Sequence, residues 1–88
     1  MVEDTHIEEV ESLTRGYTSH CNVNELHGNI RISGYFDDLN PDPEREQIEN
    51  DLERIRREID WNDELSFDYK SLSDIERRYG HYFLEIRF

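Results

Sequence analysis

The stretch EREQIENDLERIRREID, residues 44–60, decides the fold of this chain. Its large aliphatic residues recur every three or four positions, and at roughly 100° per residue they fall within about 60° of arc. The pattern predicts an amphipathic helix over about 43–60, because Asn40 or Asp42 can cap its first turn and the proline that follows each of them suits the first helical position. The docking stripe of this helix consists of Ile48, Leu52, Ile55 and Ile59.

Segments on both sides of this helix alternate apolar and polar residues, as strands do. The alternation is clearest in residues 26–36 and 81–88, and it is weaker in 17–23 and 64–70. A turn at residues 24–25 would join the first two of these segments in the chain as a hairpin. Together the segments predict a mostly antiparallel sheet of three or four strands.

Two shorter segments carry helix signals. Thr5 and Glu8 have the spacing of a capping box and Gly16 can end a helix, which predicts a short helix near residues 5–14. Residues 72–79 begin with serine caps and end at a glycine, which predicts a second short helical segment. The fold class expected from all these elements is α+β.

The expected architecture is a small two-layer sandwich, in which the long helix covers one face of the sheet. Eighty-eight residues make a single domain over 1–88. The patterns in residues 1–25 are weak and leave open whether that segment is helical, extended or mobile. Apolar residues make up only 34% of the chain, so we expect a thin core to which dimerisation would add burial.

Charge is the most informative property of the composition. The formal net charge is −12, and residues 37–64 hold twelve acidic residues against four arginines. Such a field repels nucleic acid and anionic lipid and attracts basic surfaces, so we expect a basic protein partner and no direct contact with nucleic acid. An acidic surface with a single lysine is also what adaptation to a salty cytoplasm would produce.

The sequence also limits the compartment and the redox chemistry. No apolar run is long enough to cross a bilayer, and the N-terminal residues lack the basic and apolar segments of a signal peptide. We therefore expect a cytoplasmic protein without membrane contact. The single cysteine, Cys21, excludes an intramolecular disulfide and a multi-cysteine metal site.

The sequence contains partial matches to two metal-binding motifs, and neither motif is favoured. The calcium-loop spacing of oxygen ligands is present, but Pro43 occupies the position that needs a glycine. Asp42, Asp68 and Lys70 have the residue types of a metal-dependent nuclease, but a whole helix separates the two acids and the net charge repels a phosphodiester. We expect no bound metal and no cofactor. The calcium-loop positions are Asp38, Asn40, Asp42 and Glu49.

Acidic residues of helix 43–60 gather on one side of it, beside the docking stripe. Against a binding role, Glu53 could pair with Arg57 and Arg56 with Asp60, and helix faces of mixed charge are usually just solvated. In favour of it, a row of carboxylates on a rigid helix can stand in for the phosphates of a nucleic acid. The predicted partner-binding residues are Asp37, Asp38, Asp42, Glu46, Glu49, Glu53, Asp60, Trp61, Asp63 and Glu64.

These observations favour a small non-enzymatic interaction protein, an inhibitor that binds the basic nucleic-acid-binding surface of another protein. DNA mimics, phage anti-defence proteins of the anti-CRISPR type and immunity proteins of nuclease toxins share this size and charge. Trp61, Tyr35 and Phe83 are the candidate apolar anchors. The alternatives are a structural or regulatory homodimer through helix 43–60 or the final strand, and, third, a metal-dependent nuclease.

Overall fold

The computed structural model describes residues 2–36, 42–62 and 64–88, with the backbone alone at 42 and 43. All strand pairs are antiparallel, in the order β1-β2-β5-β3, and β4 also pairs with β5. The predicted α+β class, with one long helix packed on the sheet, is confirmed. The elements in chain order are α1 Asp4–Arg15, β1 Cys21–Leu26, β2 Asn29–Tyr35, α2 Asp42–Trp61, β3 Ser71–Leu72, β4 Glu76–Arg78 and β5 His81–Arg87.

The core lies between α2 and the two central strands. The predicted stripe of α2 is almost completely buried, and it faces two cross-strand pairs of β2 and β5 that are fully buried. The predicted alternation in these two strands is therefore confirmed. α1 contributes Val10 to the same core, which places both helices on one face of the sheet. The two cross-strand pairs are Ile30 with Ile86 and Ile32 with Leu84.

The first hairpin turns three residues later than the sequence predicted. β1 starts at Cys21 rather than at residue 17, and the turn consists of His27 and Gly28, with φ of 52° and 81°. A two-residue turn that matches the twist of a hairpin needs positive φ at both positions, which a glycine adopts without steric cost. The predicted turn at residues 24–25 was wrong because neither of those residues is a glycine.

The predicted helical segment at 72–79 is wrong, because these residues form most of β3 and β4 on the edge of the sheet. Ser73 does not cap a helix; its Oγ accepts the N–H of Glu85 at 2.8 Å, and its N–H donates to the carbonyl of Glu85 at 2.9 Å. The register with β5 then shifts by one, so that Asp74 and Ile75 stand opposite Leu84. β3 and β4 are thus one edge strand interrupted by a β-bulge.

The predicted helix at 5–14 is confirmed as α1, although its cap differs. The helix starts after Glu3, whose N–H donates to His6 Nδ1 at 3.2 Å, and not after Thr5. The weak alternation of residues 64–70 does not form a strand. Its apolar residues still pack on the core, because the segment runs back across the end of α2. These residues are Leu65, Phe67 and Tyr69.

Candidate acidic partner-binding surface

The acidic side of α2 is exposed and regularly spaced. Glu46, Glu53 and Asp60 are exposed, and each lies seven residues from the next, which is a rise of about 10 Å along the axis. Glu49 lies between them and is half-buried. We call these four residues the acidic strip. Since the apolar stripe of α2 is locked in the core, the strip is held on a rigid element.

Among the described residues, the arginines of α2 form no ion pair with the acidic strip, although Arg56 and Arg57 border the same depression as Glu49 and Glu53. Neither expected pair, Glu53 with Arg57 or Arg56 with Asp60, is formed. Arg56 instead turns to the bulge, where its Nε donates to the carbonyl of Ser73 at 2.8 Å. Within the described part of the chain, the four carboxylates of the strip have neither a hydrogen bond nor an ion pair. Their negative charge is therefore available to a partner.

The bulge adds an acidic residue that the sequence did not single out. The side chain of Asp74 is 98% exposed, and its Oδ1 lies 3.9 Å from Nη2 of Arg56. With Glu49 and Glu53 it borders a shallow depression of about 320 Å³ between α2 and the edge strand. Asp74 is brought beside α2 only by the register shift in the sheet. No local sequence pattern predicts this position of Asp74.

The C-terminal end of α2 carries acidic residues, although the helix dipole favours basic residues there. The helix ends at Trp61, so its last turn contains Glu58 and Asp60 and no basic residue. Tyr69 Oη donates to the carbonyl of Ile59 at 3.3 Å. Burial and, after it, the charge of Asp60 raise the pKa of Tyr69.

The three candidate anchors lie in three different places. Trp61 is 75% exposed, but it is rotated by roughly 100° from Asp60 and borders a separate depression with Tyr17. Tyr35 is exposed on the other face of the sheet. Phe83 is only 3% exposed and lies beneath the guanidinium of Arg31, which excludes it as an exposed anchor. Trp61 is the one of the three that neighbours the acidic strip.

Several predicted site residues lie outside the described residues. They include Asp37, Asp38, Asp63 and the side chain of Asp42, and with them most of the calcium-loop positions. Glu64 is described, and it is exposed just beyond the end of α2. Its N–H donates to Asn62 Oδ1 at 2.8 Å.

The nuclease arrangement is not assembled by this fold. Asp42 begins α2, whereas Asp68 lies beside Ile59 and Asp60 near the other end, about 26 Å away along the helix. In residues 2–36, 42–62 and 64–88, no group of three His, Cys, Asp or Glu side chains is arranged to hold a metal ion. The same residues contain no helix of sufficient length and apolarity to span a membrane.

Both dimer interfaces considered from the sequence are occupied within the chain. The apolar stripe of α2 is buried against the sheet, so it cannot serve as the seam of a coiled coil. The final strand, β5, is central, with β2 on one side and β3 and β4 on the other. A dimer would have to use other surfaces.

No protein-family model, no curated protein and no solved structure matches this chain.

Proposed function

We propose that this chain is a non-enzymatic interaction protein that inhibits a nucleic-acid-binding protein by occupying its basic surface. In this mechanism the carboxylates of the acidic strip pair with arginines and lysines that would otherwise hold phosphates. The net charge of −12 steers the encounter, and the strip sets the register. A cytoplasmic location, where such targets are found, belongs to the same proposal.

One observation supports this proposal most: the four carboxylates of the strip form neither a hydrogen bond nor an ion pair within the described residues. A helix of mixed charge can pair its carboxylates with arginines three or four residues away, with a gain of about 0.2–0.5 kcal/mol for each pair. Here Arg56 contacts the edge strand instead, and Glu53 and Asp60 stay unpaired. Charged side chains that are already exposed and unpaired lose no internal ion pair when a partner binds them.

The charge at the end of α2 is a second, independent support. Acid near a helix C-terminus costs about 0.3–1 kcal/mol, since the last carbonyls already carry partial negative charge. Glu58 and Asp60 both lie in that last turn without a compensating base. Glu58 lies on another side of the helix, where it accepts a hydrogen bond from Tyr17 Oη at 3.2 Å, so the proposed row of carboxylates accounts only for Asp60.

A variant with reversed charge tests the proposal. In a Glu46→Lys, Glu49→Lys, Glu53→Lys triple variant, we expect loss of partner capture with helix content close to wild type. The assay is a tagged pull-down from nuclease-treated host lysate at low and high salt, with retained proteins identified by mass spectrometry. Wild type should retain a nucleic-acid-binding protein at low salt and less of it at high salt.

A second triple variant controls for net charge alone. Glu3→Lys, Glu58→Lys, Glu76→Lys changes the formal charge by the same amount at exposed or half-buried positions outside the strip. It should capture the same protein with much smaller loss. Equal loss in both variants would mean that only overall charge matters. Retention by the strip variant with unchanged salt dependence would leave the strip as a solvated surface.

A further inference from the structure

The sheet has one unprotected edge. β1 pairs only with β2 among the described strands, whereas the opposite edge is interrupted by the bulge and covered where Arg56 binds the Ser73 carbonyl. β1 contains no proline and no lysine, the residues that commonly block edge pairing. An open edge of this kind offers backbone hydrogen bonds to another extended chain.

The hairpin register shows which backbone groups point outward. Leu26 and Asn29 flank the two-residue turn, so they exchange both backbone hydrogen bonds, and such pairs then alternate along the ladder. The N–H and C=O groups of Cys21, Val23 and Glu25 therefore point away from β2. They form a row of three donors and three acceptors along the edge.

A groove runs beside this edge, between α1 and β1. It has a volume of about 390 Å³ and is lined by residues of both elements. Thr14 on α1 is 1% exposed, and its hydroxyl is buried without a hydrogen-bond partner. A buried hydroxyl without a partner is uncommon in folded proteins. The lining residues are Glu11, Thr14, Arg15, Cys21, Asn22, Val23 and Asn24.

We propose that β1 binds an extended, basic segment of a partner protein as an additional strand. Main-chain hydrogen bonds to the outward groups of β1 would hold the segment, and its basic side chains would face the acid of α1. The exposed acids there are Asp4 and Glu8, and Glu11 lies at the groove itself, where it pairs with Arg15 at 3.1 Å. A second copy of this chain is the less favourable occupant, because each copy carries a charge of −12 and pairing β1 with β1 would bring two acidic α1 helices together.

This surface is separate from the acidic strip. α1 and β1 lie at one edge of the molecule, whereas the strip of α2 lies toward the bulge at the opposite edge. The inference therefore does not depend on the proposed inhibition. The Glu46→Lys, Glu49→Lys, Glu53→Lys variant should keep this binding, so the two ideas can fail separately.

The test uses a synthetic eight-residue peptide that alternates lysine and valine, titrated into ¹⁵N-labelled protein. We expect chemical-shift changes at the amides of Cys21, Val23 and Glu25 and in α1, with slower hydrogen exchange at the three amides. A second peptide of the same sequence, N-methylated at every residue, keeps the charge but lacks backbone donors on both edges. It should bind at least tenfold more weakly.

Two protein variants complete the test. Val23→Pro removes an outward N–H and leaves the β1–β2 ladder bonded, so it should weaken peptide binding at least tenfold. Glu11→Lys leaves the strand intact and should weaken binding through charge alone. If the Val23→Pro variant does not fold, peptide binding to the Glu11→Lys variant and binding of the methylated peptide to wild type test the proposal instead. Unchanged binding of the methylated peptide, or shifts confined to α2, would overturn the proposal.

Discussion

At the scale of single residues, Gly34 sets how closely α2 approaches the sheet. A Cβ at this position would lie 2.5 Å from Ile48 Cγ2 and 3.0 Å from Cys21 Sγ, both closer than normal van der Waals contact. Ile48 belongs to the buried stripe of α2, so the helix cannot move away without opening the core. The strand pattern in the sequence does not reveal this contact, because it arises only when the helix docks.

Gly34→Ala should therefore destabilise the protein by about 1–3 kcal/mol, the usual cost of overpacking. Ile48→Ala should also destabilise it, by leaving a cavity. The double variant should be less destabilised than the two single effects added together, because the new methyl then occupies space that Ile48 vacated. Chemical denaturation measures all three free energies of unfolding. Strict additivity would show that the two residues do not compete for the same space.

Cys21 gives a pH dependence at the same scale. Burial, then the charge of Asp51, raises the pKa of Cys21 from 9.0 to about 11. Between these values the unfolded chain has lost the thiol proton and the folded chain has kept it, so the unfolded state binds fewer protons. The free energy of unfolding should therefore fall as the pH rises from about 9 to about 11.

Cys21→Ala should flatten this fall, as measured by urea denaturation at intervals between pH 8 and 11. Part of the fall should remain above pH 10, because the pKa values of Tyr17 and Tyr69 are also raised. An identical pH profile in the variant and the wild type would exclude Cys21 as a source of the effect.

At the scale of elements, the two hairpins share one feature. Each turns through a non-glycine residue and then a glycine, both at positive φ: His27 and Gly28 in the first, Tyr79 and Gly80 in the second. Asparagine is the residue best suited to the first of these positions. Tyr79 is 92% exposed, so it has almost no packing to lose on replacement.

Tyr79→Asn should raise the free energy of unfolding by about 0.5–1 kcal/mol, because asparagine tolerates positive φ better than tyrosine. Tyr79→Ala is the matched control, since it also removes the ring but gains nothing at positive φ. Thermal unfolding of both variants checks the difference. An equal gain in the two would attribute the effect to loss of the exposed ring and not to the backbone.

The elements that the sequence predicted are those with a long, regular pattern. The stripe of α2 and the alternation of β2 and β5 reflect contacts that repeat with the period of the element itself. The edge strand of β3 and β4 has no such pattern, since its bulge exists only in relation to β5. Its serines fit a helix cap equally well, and the choice is made by distant backbone groups of Glu85.

The candidate site was likewise predictable only where it follows from the regular spacing of a helix. The positions of Glu46, Glu53 and Asp60 on one side of α2 follow from helical spacing alone. That Arg56 would turn to Ser73 and leave Asp60 unpaired depends on the edge strand, which the sequence did not predict. For the same reason Asp74 was not identified as a neighbour of the strip.

At the scale of the whole molecule, the charge is divided between two unlike sides. Both helices lie on one face of the sheet and carry most of the acid. The other face is close to neutral, and there Arg31 pairs with Glu85 and covers Phe83. A basic partner of the kind proposed would therefore be drawn to the helical side before any contact forms. The central claim is that the acidic strip then excludes nucleic acid from that partner.

The most direct test is displacement of a labelled nucleic acid from the captured partner, followed by mobility shift at low and high salt. Wild type should displace the nucleic acid, less efficiently as salt rises. The Glu46→Lys, Glu49→Lys, Glu53→Lys variant should fail, and the Glu3→Lys, Glu58→Lys, Glu76→Lys variant should still displace it. If wild type binds the partner and the nucleic acid stays bound, or if both variants behave alike, the account of the acidic strip is contradicted.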